Sequence, residues 1–167
     1  MAIADPGAAV LVDLGPPHPT LVRVLKGNAD AIRFVQALTG VYDVWDDLID
    51  GDPVTPEQVD RAFFSALVTV PTNPFFLANR EVLQPLILTG MLGWWAANNL
   101  ERQPDERARR VAYVTRCDPA NVIVMCAALV GGMDWARACG SEIELYINSE
   151  PPEDYMDEME KKHGMAQ

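Results

Sequence analysis

The chain has 167 residues, 49% of them hydrophobic, and this length and composition predict one folded domain with a sizeable core. Its formal net charge of -11 argues against nucleic-acid binding through a basic surface, because that mode requires clustered lysines and arginines. No uninterrupted run of about 18 apolar residues occurs, so we expect no membrane span.

The first predicted elements are an extended lead-in and a long amphipathic helix. Closely spaced prolines favour extended chain over residues 1–19, and a short helical turn follows over residues 20–26. Apolar residues then recur at three- and four-residue steps from Ile32 to Ile49. This spacing predicts a helix over residues 28–51 with one apolar face and one aspartate-rich face.

A second long helix is predicted to begin after residue 55 and to return antiparallel to the first. Thr55 as the N-cap residue and Gln58 three residues later are typical of a capping box. The proline-containing residues 71–74 end this helix. A third helical region is predicted over residues 75–99, with Pro85 at a kink or in a first turn.

The following segments are predicted to supply positive charge and the centre of the core. Residues 105–116 form an amphipathic segment that is rich in arginine. Residues 120–138 are apolar nearly all round, which predicts a central core helix with a bend or a close backbone approach at its Gly-Gly pair. Ser141 and Glu144 have the spacing of a capping box and predict a last short helix.

The C-terminal region is strongly acidic, with eight carboxylates over residues 142–160 and no basic residue before Lys161. We therefore divide the chain into a single helical domain, residues 1–148, and an acidic C-terminal tail, residues 149–167. Aromatic and methionine side chains interleave with the acids of this tail. That pattern fits a segment that docks into a basic groove on another protein or on a second copy of this chain, and equally fits a frayed end.

The three cysteines, Cys117, Cys126 and Cys139, lie in apolar helical surroundings and include no CxxC pair. Because only two histidines accompany them, a zinc site is not expected. Reduced, buried thiols are typical of a cytoplasmic protein, and this is the location that we predict.

The densest concentration of chemical groups is WDDLIDGD, residues 45–52, where four carboxylates crowd the end of the first long helix. Like charges one turn apart repel by about 0.2–0.5 kcal/mol per pair. A helix C-terminus also disfavours negative charge. A bound Mg²⁺, an arginine from elsewhere in the fold or a basic partner surface would each offset this cost.

Asp46-Asp47-Leu48-Ile49-Asp50 resembles the DDxxD motif of the class I isoprenoid synthases, which are all-α enzymes. The resemblance implies that Asp46, Asp47 and Asp50 bind Mg²⁺ ions that hold a diphosphate, because hard oxygen ligands one turn apart suit this ion. The chain is much shorter than those enzymes. The nearest candidate for their second acidic site, around residues 98–106, has an arginine in place of a hydroxyl group.

The same region is similar to the all-α nucleoside-triphosphate pyrophosphatases, in which ExxE and ExxD motifs on successive helices converge on Mg²⁺. Asp47 and Asp50 precede Glu57 and Asp60 across a tight turn, although the first pair is Asp instead of Glu. This similarity extends the candidate magnesium ligands, with the arginines of residues 102–116 as a phosphate clamp. The candidate ligands are Asp46, Asp47, Asp50, Glu57 and Asp60.

Alternatively, these acids form a solvated face that pairs with arginines or with a partner. Together with the later motifs NPFF, residues 73–76, and WWAANNLE, residues 94–101, the WDDLID segment resembles small uncharacterised helical proteins encoded by tailed bacteriophages. The similarity covers about residues 31–144. It implies a setting, the host cytoplasm or the virion, and no particular activity.

The sequence thus predicts an all-α, compact bundle of five or six helices. We expect a non-catalytic, acidic protein that acts by protein–protein interaction or assembly, with a protein partner or by self-association. A Mg²⁺-dependent enzyme acting on a diphosphate is the alternative.

Trp94 and Trp95 leave a helix about 100° apart, so one of them is expected to face away from the core, where it can mark an interface.

Overall fold

The computed structural model of the protein describes residues 12–116 and 119–163, and within these ranges every regular element is helical. The predicted all-α class is confirmed. Cys117, Asp118 and the outer parts of the predicted lead-in and tail lie outside the described residues. The helices are α1 (Pro19–Val24), α2 (Ala29–Asp50), α3 (Pro56–Phe64), α4 (Val70–Thr72), α5 (Pro74–Ala78), α6 (Arg80–Glu101), α7 (Glu106–Thr115), α8 (Pro119–Gly131), α9 (Met133–Ile147) and α10 (Pro152–His163), and a π-helical segment (Ser65–Thr69) joins α3 to α4.

The predicted helix signals at both ends of α2 and at the start of α3 are confirmed. The Asn28 side chain accepts a hydrogen bond from the Ala31 amide, and α2 ends at Gly51, whose φ of 78° is left-handed. Such a backbone favours glycine, because a Cβ would be strained there. At Thr55, both hydrogen bonds of the capping box with Gln58 are formed.

The core is centred on α2 and α8, and α9 packs along α8. Phe34 of α2 is fully buried and stacks on Phe76 of α5 at a ring distance of 5.4 Å. Ile123 and Cys126 of α8 are also buried, which confirms the predicted role of this apolar helix. Burial raises the pKa of the Cys126 thiol to about 12, so this group is an inert part of the core.

The predicted helix over residues 120–138 is wrong in its extent. The backbone breaks at Gly132, whose φ is 85°, and α9 then continues without interruption through Gly140 and Ser141. Gly140 is therefore helical, and the short helix predicted to start at Ser141 does not exist as a separate element. The two positions differ in backbone conformation, although both are glycines beside apolar helical sequence.

Of the two alternatives predicted at the Gly-Gly pair, the bend forms at Gly132, and the close contact at Gly131 is with the side chain of Trp135 and not with a backbone, since a Cβ added at Gly131 would overlap the Trp135 ring. Trp135 Nε1 also donates a hydrogen bond to the Val24 carbonyl at 2.8 Å, which ties α9 to α1. We expect Gly131→Ala to lower the free energy of unfolding by about 1–3 kcal/mol, because Trp135 must move. Urea denaturation measures this loss.

Gly140→Ala is the matched control, because no atom lies within 4 Å of a Cβ added there. In a helix interior this change is expected to stabilise the fold by about 0.5–1 kcal/mol. A similar loss of stability in both variants would contradict the role assigned to the Trp135 contact.

Part of the segment predicted as an acidic tail forms the ordered helix α10, which packs against α7. Tyr155 is 0% exposed and Met159 is 2% exposed, so one stripe of this helix joins the core. The Tyr113 hydroxyl of α7 donates a hydrogen bond to the Glu150 carbonyl at 2.6 Å, just before α10 begins. Residues 152–163 are thus a helix docked within the same chain, which differs from both predicted alternatives, a frayed end and docking on another protein or a second copy.

One stretch, Glu106–Gly131, is long and apolar enough, by length and composition, to cross a membrane, but it includes residues 117 and 118, which lie outside the described ranges. A core helix of a soluble protein meets the same criteria, and the α8 half of this stretch contributes to the core. The absence of a membrane span therefore stays a prediction.

Candidate functional site

The C-terminal half of α2 lies against α6 and the end of α7, where cations and aromatic rings surround its aspartates. Asp46 uses both carboxylate oxygens: Trp94 Nε1 donates to Oδ1 at 3.0 Å, and Arg116 Nη2 donates to Oδ2 at 3.1 Å. Of the three ways to offset the aspartate charges, the structure contains an arginine from elsewhere in the fold. Burial raises the pKa of Asp46, although Arg116 opposes this shift.

Arg116 also links this region to α10. Its guanidinium lies 5.1 Å from the centre of the Tyr155 ring, and the Tyr155 hydroxyl donates a hydrogen bond to Glu101 Oε1 at 2.7 Å. We call these four residues, Arg116, Asp46, Glu101 and Tyr155, the Arg116 network. Its members come from α2, α6, α10 and the end of α7, so it ties four parts of the bundle together.

Charge and burial compete within the Arg116 network. Burial raises the pKa of Glu101, with the Tyr155 hydrogen bond and Arg116 acting in the opposite direction. For Arg116, burial disfavours the charge, but Asp46 and then Glu101 raise its pKa above the usual value. Burial and the bond to Glu101 raise the pKa of Tyr155, which therefore stays a neutral hydrogen-bond donor.

A second cation contacts the aspartates at the end of α2. Lys162 Nζ of α10 lies 3.0 Å from Asp50 Oδ2 and 2.8 Å from Glu158 Oε1. Burial lowers the pKa of Lys162, but its hydrogen bonds to Glu158 and Asp50 outweigh burial and raise the pKa. Docking of α10 thus places a positive charge on the cluster that the sequence left unbalanced.

The other three predicted magnesium ligands do not form one site with Asp46 and Asp50. Asp47 lines a small pocket of about 170 Å³ that Arg61 of α3 also lines. Glu57 and Asp60 are exposed on α3. No group of three or more His, Cys, Asp or Glu side chains within residues 12–116 and 119–163 is placed to hold a metal ion. Magnesium binding by these five residues stays a prediction without a formed ligand set.

The predicted phosphate clamp is also dispersed. Arg110 pairs with Glu106 within α7, and buried Arg109 donates to the Gln103 carbonyl at 3.2 Å. Arg116 is the arginine in this segment that contacts an aspartate of α2, and it is already paired. Arg109 and Arg110 line one pocket together with the acids Glu106, Asp157 and Glu160, a setting that disfavours an anionic diphosphate.

A polar cavity of about 360 Å³ lies on one flank of α2. Asp43 and Asp46 line it from α2, Trp94 from α6, Arg116 from the end of α7 and Tyr146 from α9. Asp43 remains in contact with water, yet burial, then the charges of Asp47 and Asp46, raise its pKa to about 6. Burial and the charge on Asp43 also raise the pKa of Tyr146, as expected for groups facing one cavity.

An apolar groove of about 230 Å³ lies between α2, the π-helical segment and α6. Its lining is almost entirely hydrocarbon and aromatic, and we call it the α2–α6 groove. Beside it the chain exposes large apolar side chains, with Phe63 62% and Leu67 71% exposed. The lining residues are Leu38, Val41, Tyr42, Trp45, Ala66, Val70, Ile87 and Met91.

The two adjacent tryptophans face different surroundings, as predicted. Trp94 is 6% exposed and packs on Trp45 at a ring distance of 4.1 Å, whereas Trp95 is 49% exposed. Trp95, Leu92 and Leu88 recur at three- and four-residue steps along α6, so they form one exposed apolar stripe next to the α2–α6 groove.

The fold and these sites define the chain only as an acidic, all-α protein in which Asp46 and Asp50 of the aspartate cluster pair with cations of the same chain. Comparisons with known protein families, characterised proteins and solved structures give no match to it. The resemblances to tailed-phage proteins and to diphosphate-cleaving enzymes accordingly stay predictions.

Proposed function

We propose that this chain is a non-catalytic helical protein that acts by binding another protein through the α2–α6 groove and the exposed apolar side chains beside it. The observation that carries the proposal is an apolar groove whose lining residues Ala66, Ile87 and Met91 are neighbours, along the chain, of large exposed apolar residues. These exposed residues are Phe63, Leu67, Leu88, Leu92 and Trp95. Large contiguous apolar surface on a soluble protein is typical of interaction sites. Exposed aromatic residues are also enriched among those that contribute most to binding.

The geometry favours an amphipathic helix as the bound element. The groove runs between α2 and α6, and a helix offers apolar side chains at three- and four-residue steps that fit such a space. Asp60 lies three residues before Phe63 on α3, so an acid stands beside the exposed apolar residues. Basic side chains beside the partner's apolar face would complement the negative charge of Asp60.

The net charge argues for a different chain as the partner, and against a second copy. Two copies that each carry a formal charge of -11 repel each other, whereas a basic chain is attracted. The proposal assumes the cytoplasm as the setting, or a host cytoplasm or virion if the chain is phage-encoded. The predicted magnesium enzyme gains no comparable observation, because its ligands are paired or dispersed.

The test uses two synthetic amphipathic helices, one of leucine and lysine and one of leucine and glutamate at the same positions. We expect the Leu/Lys helix to bind, measured by isothermal titration calorimetry, and Leu67→Gln or Leu92→Gln to raise its Kd about tenfold. Leu145→Gln is the control, because Leu145 is 74% exposed on α9, outside the groove.

Equal Kd values for all three variants would overturn the proposal, because they would assign binding to overall charge. Binding of the Leu/Glu helix with the same affinity would contradict the basic character of the partner. Sedimentation equilibrium of the protein alone provides a further check. A dimer that dissociates in Leu67→Gln would assign the groove to a second copy and overturn the partner proposed here.

A further inference from the structure

We propose that the polar cavity beside α2 binds a small organic cation carrying an ammonium or guanidinium group, with Asp43 as its anionic partner. The cavity lies on a face of α2 next to the α2–α6 groove, and Tyr42 lines both. Asp43 lines the cavity and not the groove, so its substitution tests this proposal separately from the protein partner proposed above.

The first step is that the cavity contains a carboxylate without a counter-charge. Asp46 is fully engaged by Trp94 and Arg116, and Arg116 is the one cation among the described lining residues. Asp43 forms no hydrogen bond or ion pair with any described residue. Two carboxylates and one guanidinium therefore leave one negative charge in the cavity. A ligand cation placed beside Asp43 would balance it.

The second step concerns the remaining lining. Tyr42, Trp94 and Tyr146 are all aromatic, and aromatic rings attract ammonium and guanidinium groups through their π faces. Tyr146 is the least buried of the three, and one of its faces is stacked on His18. Hydroxyl groups of Thr39 and Ser149 also line the cavity and can accept hydrogen bonds from a cation's N–H groups. Carboxylate, rings and hydroxyls together match an organic cation with an alkyl chain.

The third step separates this ligand from a metal ion. Ca²⁺ takes six to eight oxygen ligands, and the described residues contain no group of three or more His, Cys, Asp or Glu side chains placed to hold a metal ion. Mg²⁺ keeps several waters and needs fewer protein ligands, so MgCl₂ is a comparison ligand in the experiment below. The cavity volume of about 360 Å³ is that of a small-molecule site. The formal charge of -11 also raises the local concentration of cations around the protein.

The experiment is calorimetric titration of the full chain with agmatine and with 1,4-diaminobutane. The comparison ligands are 1,4-butanediol, which is neutral, and MgCl₂. We expect saturable one-site binding of at least one organic cation and none of the diol. Asp43→Asn is expected to raise the Kd about tenfold. Its folding is checked by the melting temperature, which should be unchanged or higher, because a carboxyl group with a raised pKa destabilises the fold when charged.

Asp60→Asn is the matched control, since it removes the same charge from an exposed position on α3 that does not line the cavity. Its Kd should equal that of the original protein at low and at physiological ionic strength. The inference is overturned if both variants weaken binding equally or if MgCl₂ competes at the same site. Absence of saturable binding would equally overturn it, while the groove experiment would be unaffected.

Discussion

Arg116→Met is expected to lower the free energy of unfolding at neutral pH by about 2–3 kcal/mol. The variant leaves Asp46 and Glu101 without their cation, although both carboxylates are already penalised by burial. The value lies below the range for a fully buried pair, because the Arg116 and Asp46 side chains remain 27% and 29% exposed. Chemical denaturation at several pH values measures the loss.

The dependence of this stability loss on pH distinguishes lost charge pairing from lost packing as its cause. Without Arg116 the folded-state pKa values of Asp46 and Glu101 rise further above their unfolded values. The folded variant then binds protons more readily than the unfolded chain, so it gains stability as pH falls through these folded-state pKa values. The difference from the original protein should therefore shrink in mild acid. A deficit that is constant with pH would contradict this account and indicate lost packing instead.

The control for Arg116→Met is Arg137→Met. Arg137 and Asp134 approach to 4.0 Å, but their side chains are 82% and 103% exposed. Exposed pairs of this kind contribute at most about 1 kcal/mol and often nothing measurable. A comparable loss in both variants would show that removal of any arginine, and not the Arg116 network, lowers the stability.

The elements that could be predicted from sequence are those with local causes. The capping box at Thr55 and the stop at Gly51 each act within a few residues, and both formed as predicted. Gly132 and Gly140 show the limit of this reasoning, because each follows a similar helical pattern. Only Gly132 adopts a positive φ, whereas Gly140 stays helical.

The sequence indicated part of the candidate site, because the repulsion among the clustered aspartates is unfavourable unless a cation lies close to them. That cost required a positive charge, but the choice of Arg116 depends on a contact 70 residues along the chain from Asp46. Glu101 was missed as a site residue for the same reason, since its partner Tyr155 is 54 residues away. The sequence did contain a local signal for α10, because Tyr155 and Met159 are four residues apart, as on one face of a helix. Both side chains are buried in the structure.

The second large effect is expected at this helix: Tyr155→Ala should release α10 from the rest of the protein. Truncation of a buried aromatic residue typically costs about 3–5 kcal/mol. Tyr155 is 0% exposed, packs on Tyr113 at a ring distance of 5.1 Å and donates its hydroxyl to Glu101. The measured loss cannot exceed the docking free energy of α10, because the helix can detach while the other helices stay folded.

Hydrogen exchange resolved by residue tests this release. In Tyr155→Ala the amides of α10 should exchange at rates near those of an unfolded peptide, while those of α8 keep their protection. Tyr155→Phe should show an intermediate effect, since it keeps the ring and removes one hydrogen bond to a carboxylate, worth about 1.5–3 kcal/mol. Asp157→Ala, at an exposed position of α10, is the control and should leave its protection unchanged.

Simultaneous loss of protection in α8 and α10 would contradict this picture and make α10 an integral part of the cooperative core. Selective release would instead show that the neutralisation of the α2 aspartates is itself reversible. Detachment of α10 removes Lys162 from Asp50 and Tyr155 from Glu101. The released state would thus expose the acidic end of α2 beside the α2–α6 groove, and docking of α10 would control how much negative charge a basic partner meets.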